Sequence, residues 1–112
     1  MSNKNNSDNY VEKIPTHNKT WELTKEGLVE VTVENKGFYN TLAQKLFKKP
    51  RFSFIKLDEF GSFVWQEIDG QKTIYEIGQN LSKKHPKAGE KLYERLCGFI
   101  KILERNDYVK VK

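Results

Sequence analysis

A chain of 112 residues in which 37% are hydrophobic and 31% charged has the size and composition of one folded domain, too short for two independent cores. A lone cysteine, Cys97, rules out an internal disulfide, and with only His17 and His85 beside it no metal-ligand spacing exists, so neither a metal nor a cofactor is expected. No run approaches the roughly 18 to 20 apolar residues that span a bilayer, and Met1 to Asp8 lacks an apolar signal-peptide core; the expectation is a soluble, cytoplasmic protein with no membrane partner.

Residues 1–16 are rich in Asn, Ser, Lys and Asp and lack apolar periodicity, which predicts a disordered tail ahead of a domain over residues 17–112. From Thr20 the texture changes. Trp21-Glu-Leu23 and Leu28-Val-Glu-Val-Thr-Val33, joined by Thr24-Lys-Glu-Gly27, predict a β-hairpin with Val29, Val31 and Val33 on its buried face. Phe38 to Lys49 switches to helical spacing, with Leu42, Ala43, Leu46 and Phe47 in one stripe, and Pro50 closes this helix. Residues 36–51 hold Lys36, Lys45, Lys48, Lys49 and Arg51 and no acid, so most of the net charge of +5 gathers there. Lys45, Lys48, Lys49 and Arg51 form a candidate basic patch for an acidic partner surface or phosphates, the alternative being a solvated helix face.

Arg51-Phe-Ser-Phe-Ile-Lys-Leu57 reads as a third strand with apolar groups on both faces, which leaves open what covers the outer one. Three helices follow. Asp58 caps the first, which ends at Asp69-Gly70; Thr73-Ile-Tyr-Glu76 is a capping box opening the second; and Lys84-His-Pro86 stops it. The third helix is expected from about Lys87 to Arg105, with Leu92, Leu96, Phe99 and Leu103 as its core stripe and Tyr93, Cys97, Ile100 and Ile102 widening it to an arc of about 220°. Either a central helix with neighbours on two sides or a groove awaiting a partner accounts for that breadth. Tyr108-Val-Lys-Val111 predicts a terminal strand in a β-ribbon beside the helices.

No P-loop, dinucleotide fingerprint, nucleophile elbow or paired-histidine motif occurs. Ser62 sits in an apolar helix with neither histidine near it in sequence, and Cys97 lacks an electropositive setting on its own helical face. No catalytic residue is assigned, and the chain is not expected to be an enzyme.

Strands followed by Leu57-Asp-Glu-Phe-Gly-Ser-Phe-Val-Trp-Gln-Glu-Ile-Asp-Gly70 and Lys72-Thr-Ile-Tyr-Glu-Ile77 resemble the PqqD family. The correspondence runs through Leu57-Asp58, Gly61, Val64-Trp65, Asp69-Gly70 and Thr73-Ile74 to Ile77. The resemblance implies a fold: α+β, a small winged helix-turn-helix with a short antiparallel sheet and a three-helix bundle, here with an extra helix over about residues 36–50 between the second and third strands. It also implies a function, that of a RiPP recognition element, which captures the leader segment of a ribosomally synthesised precursor peptide and presents it to a modifying enzyme such as a radical SAM protein. The leader would be held as an added strand on Phe52 to Leu57, with Phe52, Phe54, Ile55 and Lys56 on the edge and Tyr93, Leu96, Cys97 and Ile100 facing it from the third helix. The inserted helix departs from the compact family pattern, and three roles stay open: packing under the sheet, docking the enzyme, or covering the edge.

The rival reading is a winged-helix DNA-binding regulator. On the third helix Lys91, Arg95, Lys101 and Arg105 are offset by Glu90, Glu94 and Glu104, which favours a peptide over nucleic acid. An unrelated interaction module is the remaining alternative. An exposed strand edge can also pair with its own copy, so a monomer or weak dimer is expected.

Overall fold

The computed structural model describes residues 9–34 and 52–112 and is α+β. Strands β1 (Pro15–His17), β2 (Trp21–Leu23), β3 (Val29–Glu34) and β4 (Phe52–Lys56) precede helices α1 (Glu59–Glu67), α2 (Ile74–Lys84) and α3 (Leu92–Arg105), and strand β5 is Val109–Val111. The expected helix over residues 36–50, with the patch of Lys45, Lys48, Lys49 and Arg51, lies outside the described residues.

The hairpin is present as expected. Thr24 N–H donates to Leu28 O at 2.8 Å, and Gly27 takes φ +82°, a left-handed conformation that costs glycine little. β3 is central in an antiparallel sheet of order β2-β3-β4, with Val31 opposite both Trp21 and Ile55, and Thr32 opposite Phe54. Period two puts Trp21, Leu23, Val29, Val31, Val33, Ser53 and Ile55 on the face toward the helices. Glu22, Glu30, Thr32, Glu34, Phe52, Phe54 and Lys56 take the other. Val29 and Val31 are fully buried among Val64, Trp65, Ile77, Leu81, Leu96 and Ile100.

The helix punctuation also matches expectation. Asp58 Oδ1 accepts from Gly61 N–H at 2.8 Å, capping α1. At α2, Thr73 Oγ1 accepts from Glu76 N–H at 3.1 Å, and Thr73 N–H donates to Glu76 Oε1 at 2.8 Å. The long third helix is corrected at its start. Pro86–Lys91 forms short 3-10 turns broken by a kink at Gly89, whose φ of +69° no right-handed helix adopts, and α3 begins only at Leu92.

A second correction concerns the tail, of which residues 9–16 belong to the folded unit. Tyr10 is only 7% exposed; its hydroxyl donates to Glu104 Oε1 at 3.0 Å, and Lys101 Nζ lies 4.9 Å from its ring centroid. Ile74 N–H donates to Lys13 O at 3.0 Å and Tyr75 N–H to Val11 O at 2.8 Å. With the capping box, these bonds satisfy all four N-terminal donors that an α-helix leaves open. β1 then pairs antiparallel with β5, which completes the expected ribbon with a partner not foreseen.

Two local networks tie the parts together. Val29 N–H donates to Ser62 Oγ at 2.8 Å, Ser62 Oγ donates to Leu57 O at 3.2 Å, and Leu57 N–H donates to Val29 O at 2.8 Å, a closed ring joining β3, the end of β4 and α1. At the other end of α1, His17 stacks on Trp65 with centroids 4.4 Å apart, Trp21 meets both rings edge-on, and His17 Nε2–H donates to Trp65 O at 2.8 Å. Burial, opposed in part by that carbonyl, lowers the His17 pKa from its usual 6.5.

Ser62→Ala strands the buried Val29 N–H and is expected to cost roughly 2 kcal/mol, read as a lower urea midpoint at unchanged slope. His17 folds best as the neutral ring while the unfolded chain takes up the proton more readily. Its contribution is therefore complete above about pH 6.5 and is lost as pH falls below that value. Thermal unfolding at pH 7.5 and 5.5 should show this decline, and His17→Phe should flatten it.

Candidate functional site

β4 is an edge strand of the three-stranded sheet, and among the described residues no strand pairs with its outer side. It exposes much apolar surface: Phe54 is 61% exposed, and Phe52 and Ile55 are also classed exposed. Phe52, Phe54 and Lys56 lie on the face away from the helices, and Ile55 on the face toward them. The four strand residues singled out in the sequence thus flank one edge from both sides.

The helix residues expected to face that edge separate into two groups. Leu96 and Ile100 are 0% exposed and belong to the core. Tyr93 and Cys97 lie on the flank of α3 turned toward α2 and residues 9–13. The Tyr93 ring fills the space beside Gly78, stacks on Tyr75 with centroids 5.8 Å apart, and its hydroxyl donates to Tyr75 O at 3.2 Å. Burial pushes the Cys97 thiol up, so it behaves as a packed apolar group rather than a reactive thiolate.

At 100° per residue, the opposite flank of α3 carries Arg95, Phe99 and Ile102. Phe99 packs edge-on against Phe60 at a centroid distance of 5.7 Å. A Cβ on Gly61 would lie 3.1 Å from the Phe99 ring and 3.3 Å from Leu57 Cβ, so Phe99 and the end of β4 meet over Gly61. Beyond that contact the surface opens: Ile102 is 53% exposed, and a Cβ on Gly98 would meet nothing within 4 Å. The sequence placed Phe99 in the core stripe and Ile102 in the broad arc. A helical wheel alone does not say which flank turns toward β4; the contact over Gly61 does.

Ser62 is a structural hydrogen-bonding residue, and among the described residues no cluster of His, Cys, Asp or Glu could hold a metal ion. No described helix is long and apolar enough to cross a membrane. The arrangement can bind an extended chain through main-chain hydrogen bonds and apolar contacts.

Tyr93→Ala is expected to remove the packing on Gly78 and Tyr75 and to lower stability by about 2 kcal/mol, measured by denaturant unfolding. A ligand-facing tyrosine would leave stability unchanged.

Residues 50–109 match the family model described as coenzyme PQQ synthesis protein D (PqqD), which covers more than half of the chain. No curated protein and no solved structure gives a significant match. The family is one of peptide-binding accessory proteins rather than enzymes. The matched segment contains β4, the capped helices α1 and α2, and α3 with its open flank, and the chain belongs to the PqqD family.

Proposed function

We propose that this protein is a non-catalytic recognition module that captures the leader of a ribosomally synthesised precursor peptide by strand addition at β4 and presents it to a modifying enzyme, a radical SAM protein being the partner class the family suggests. In this reading α1, α2 and α3 with the flanking strands form a winged helix-turn-helix. The observation that carries it is the juxtaposition of an edge strand exposing Phe54 and Ile55 with an α3 flank exposing Ile102 beside Phe99. A peptide laid along β4 sends alternate side chains inward, toward Ile55, Leu57, Phe99 and Ile102, and outward, beside Phe52 and Phe54. Lys45, Lys48, Lys49 and Arg51 are assigned to an acidic surface of the partner.

Main-chain hydrogen bonds contribute about 0.5 to 1.5 kcal/mol each. Several of them with two apolar anchors, less the cost of ordering a disordered leader, leave roughly 8 kcal/mol, an affinity on the order of micromolar. That strength suits a carrier that hands its cargo on. DNA binding finds less support: the outward side of α3 mixes Glu94 and Glu104 with Arg95, Lys101 and Arg105, and its open flank is apolar.

NMR titration of the isotope-labelled chain with leader peptides of small precursors encoded beside its gene tests the proposal, a short DNA duplex serving as control. Shifts should gather at Phe52 to Leu57, Phe99 and Ile102. Ile55→Glu and Ile102→Glu, both at exposed positions, should each weaken binding at least roughly tenfold with unchanged circular dichroism. Shifts confined to Tyr93 and Cys97, or salt-sensitive shifts with the duplex alone, overturn it.

A further inference from the structure

Immediately past β4, a cavity of about 1060 Å³ opens between the start of α1, the end of α2 and the start of α3. Phe60, Leu81 and Leu92 supply its apolar lining, and Lys84, Lys87, Lys91 and Arg95 bring positive charge to it. None of these four cations forms an ion pair among the described residues. Two rest on aromatic rings instead: the Arg95 guanidinium lies 4.0 Å from the Phe60 centroid, and Lys84 Nζ lies 5.4 Å from that of Phe63. Three carboxylates, Asp58, Glu59 and Glu94, stand in the lining against these four cations, and Asp58 is turned to the cap of α1.

We infer that this cavity receives an acidic segment with an apolar anchor, belonging to the same peptide that adds to β4. The inference rests on the strand-addition reading. Asp58, Glu59 and Phe60 of the lining follow β4 directly in the chain, so a strand paired with β4 and continued past Lys56 arrives at the cavity mouth. An apolar side chain packs on the partly exposed Phe60, in front of the buried Leu81 and Leu92, while a neighbouring carboxylate meets Arg95 and Lys91. Free phosphate satisfies the cations and leaves the apolar lining unused, whereas a peptide carrying both groups satisfies both.

The test uses the full chain with methyl and arginine side-chain labels, and two probes: acetyl-Glu-Leu-Glu-Phe-amide and its neutral counterpart acetyl-Gln-Leu-Gln-Phe-amide. The acidic probe should shift the Leu81 and Leu92 methyl signals and the Arg95 Nε–H signal, and bind about tenfold more tightly than the neutral one. Lys91→Gln with Arg95→Gln should erase that difference, while Lys110→Gln, outside the cavity, should not. Equal binding of the two probes, or silence at these signals, overturns the inference. Leader peptides separate the two readings: a leader that shifts Ile55 and Ile102 but not the cavity signals overturns the cavity assignment and leaves strand addition standing, and a leader that moves neither set overturns both.

Discussion

The Ser62 hydroxyl sits where sheet and helices meet, and the geometry of the candidate site follows from it. Accepting from Val29 N–H and donating to Leu57 O, it occupies a position between two strands that are themselves joined by the Leu57 N–H bond to Val29 O. Three polar groups that would be costly to bury singly thereby satisfy one another. Because Ser62 lies in the first turns of α1, the ring fixes where the helix leaves β4. That exit holds Leu57 and Gly61 beneath Phe99 and brings the exposed strand edge next to the open flank of α3. An alanine Cβ at residue 61 would press on Phe99 and Leu57 alike, so the small residue there serves the close approach of α1 and α3.

α3 has two flanks beside its core stripe, and the N-terminal segment decides which is covered. Tyr10, bonded to Glu104 and lying under Lys101, covers the side that bears Cys97, while Val11 and Lys13 complete the cap of α2 beside the Tyr75 and Tyr93 pair. The carbonyls and the aromatic ring of residues 10–13 thus do for this flank what a further element would do in a larger domain. On the other side, among the described residues, Phe99 packs edge-on against Phe60, whose ring Arg95 covers, and Ile102 is half exposed. The broad apolar arc of α3 therefore divides in two: one edge is packed by the N-terminal segment and α2, and the other, among the described residues, carries the exposed Ile102 beside the partly covered Phe99.

This division explains what could be read in the sequence. Asp58, the Thr73 and Glu76 box, the Gly27 turn and the Pro86 stop are local devices, each acting within a few residues, and local devices leave a local pattern. Tyr10 and β1 leave none. A single aromatic in an Asn- and Lys-rich stretch and a three-residue strand beginning with Pro15 acquire their structure from partners more than 90 residues away, Glu104 and Val111. The His17, Trp21 and Trp65 cluster is hidden for the same reason. The start of α3 at Leu92 rather than near Lys87 is set by Gly89, whose positive φ breaks the helix without leaving a mark in the apolar periodicity. Among the candidate binding residues, Phe52, Phe54, Ile55 and Lys56, named from the family resemblance, all lie on β4. The helix set sits a rotation away from that edge: Leu96 and Ile100 lie in the core and Tyr93 packs on α2, while Phe99, on the far side of the same stripe, meets Leu57 over Gly61.

An edge that accepts a peptide is also an edge that can accept its own copy, and the sequence of β4 bears on that conflict. The strand is five residues long, and Lys56 near its end is exposed and opposite Glu30 in the register. In an antiparallel pairing of two β4 strands, a lysine from each copy would have to share the same short stretch with Phe52 and Phe54. Such a pairing sets Lys56 of each copy beside Phe52 of the other, so the cavities that follow β4 lie at opposite ends of the seam and neither receives the second copy's strand. A peptide with a carboxylate past its strand segment brings opposite charge to the cavity cations, which a second copy paired through β4 leaves unmet. On the strand-addition reading, the charges that bound the edge thus discriminate between partners, while the apolar groups along it supply contact area to whichever partner the charges admit.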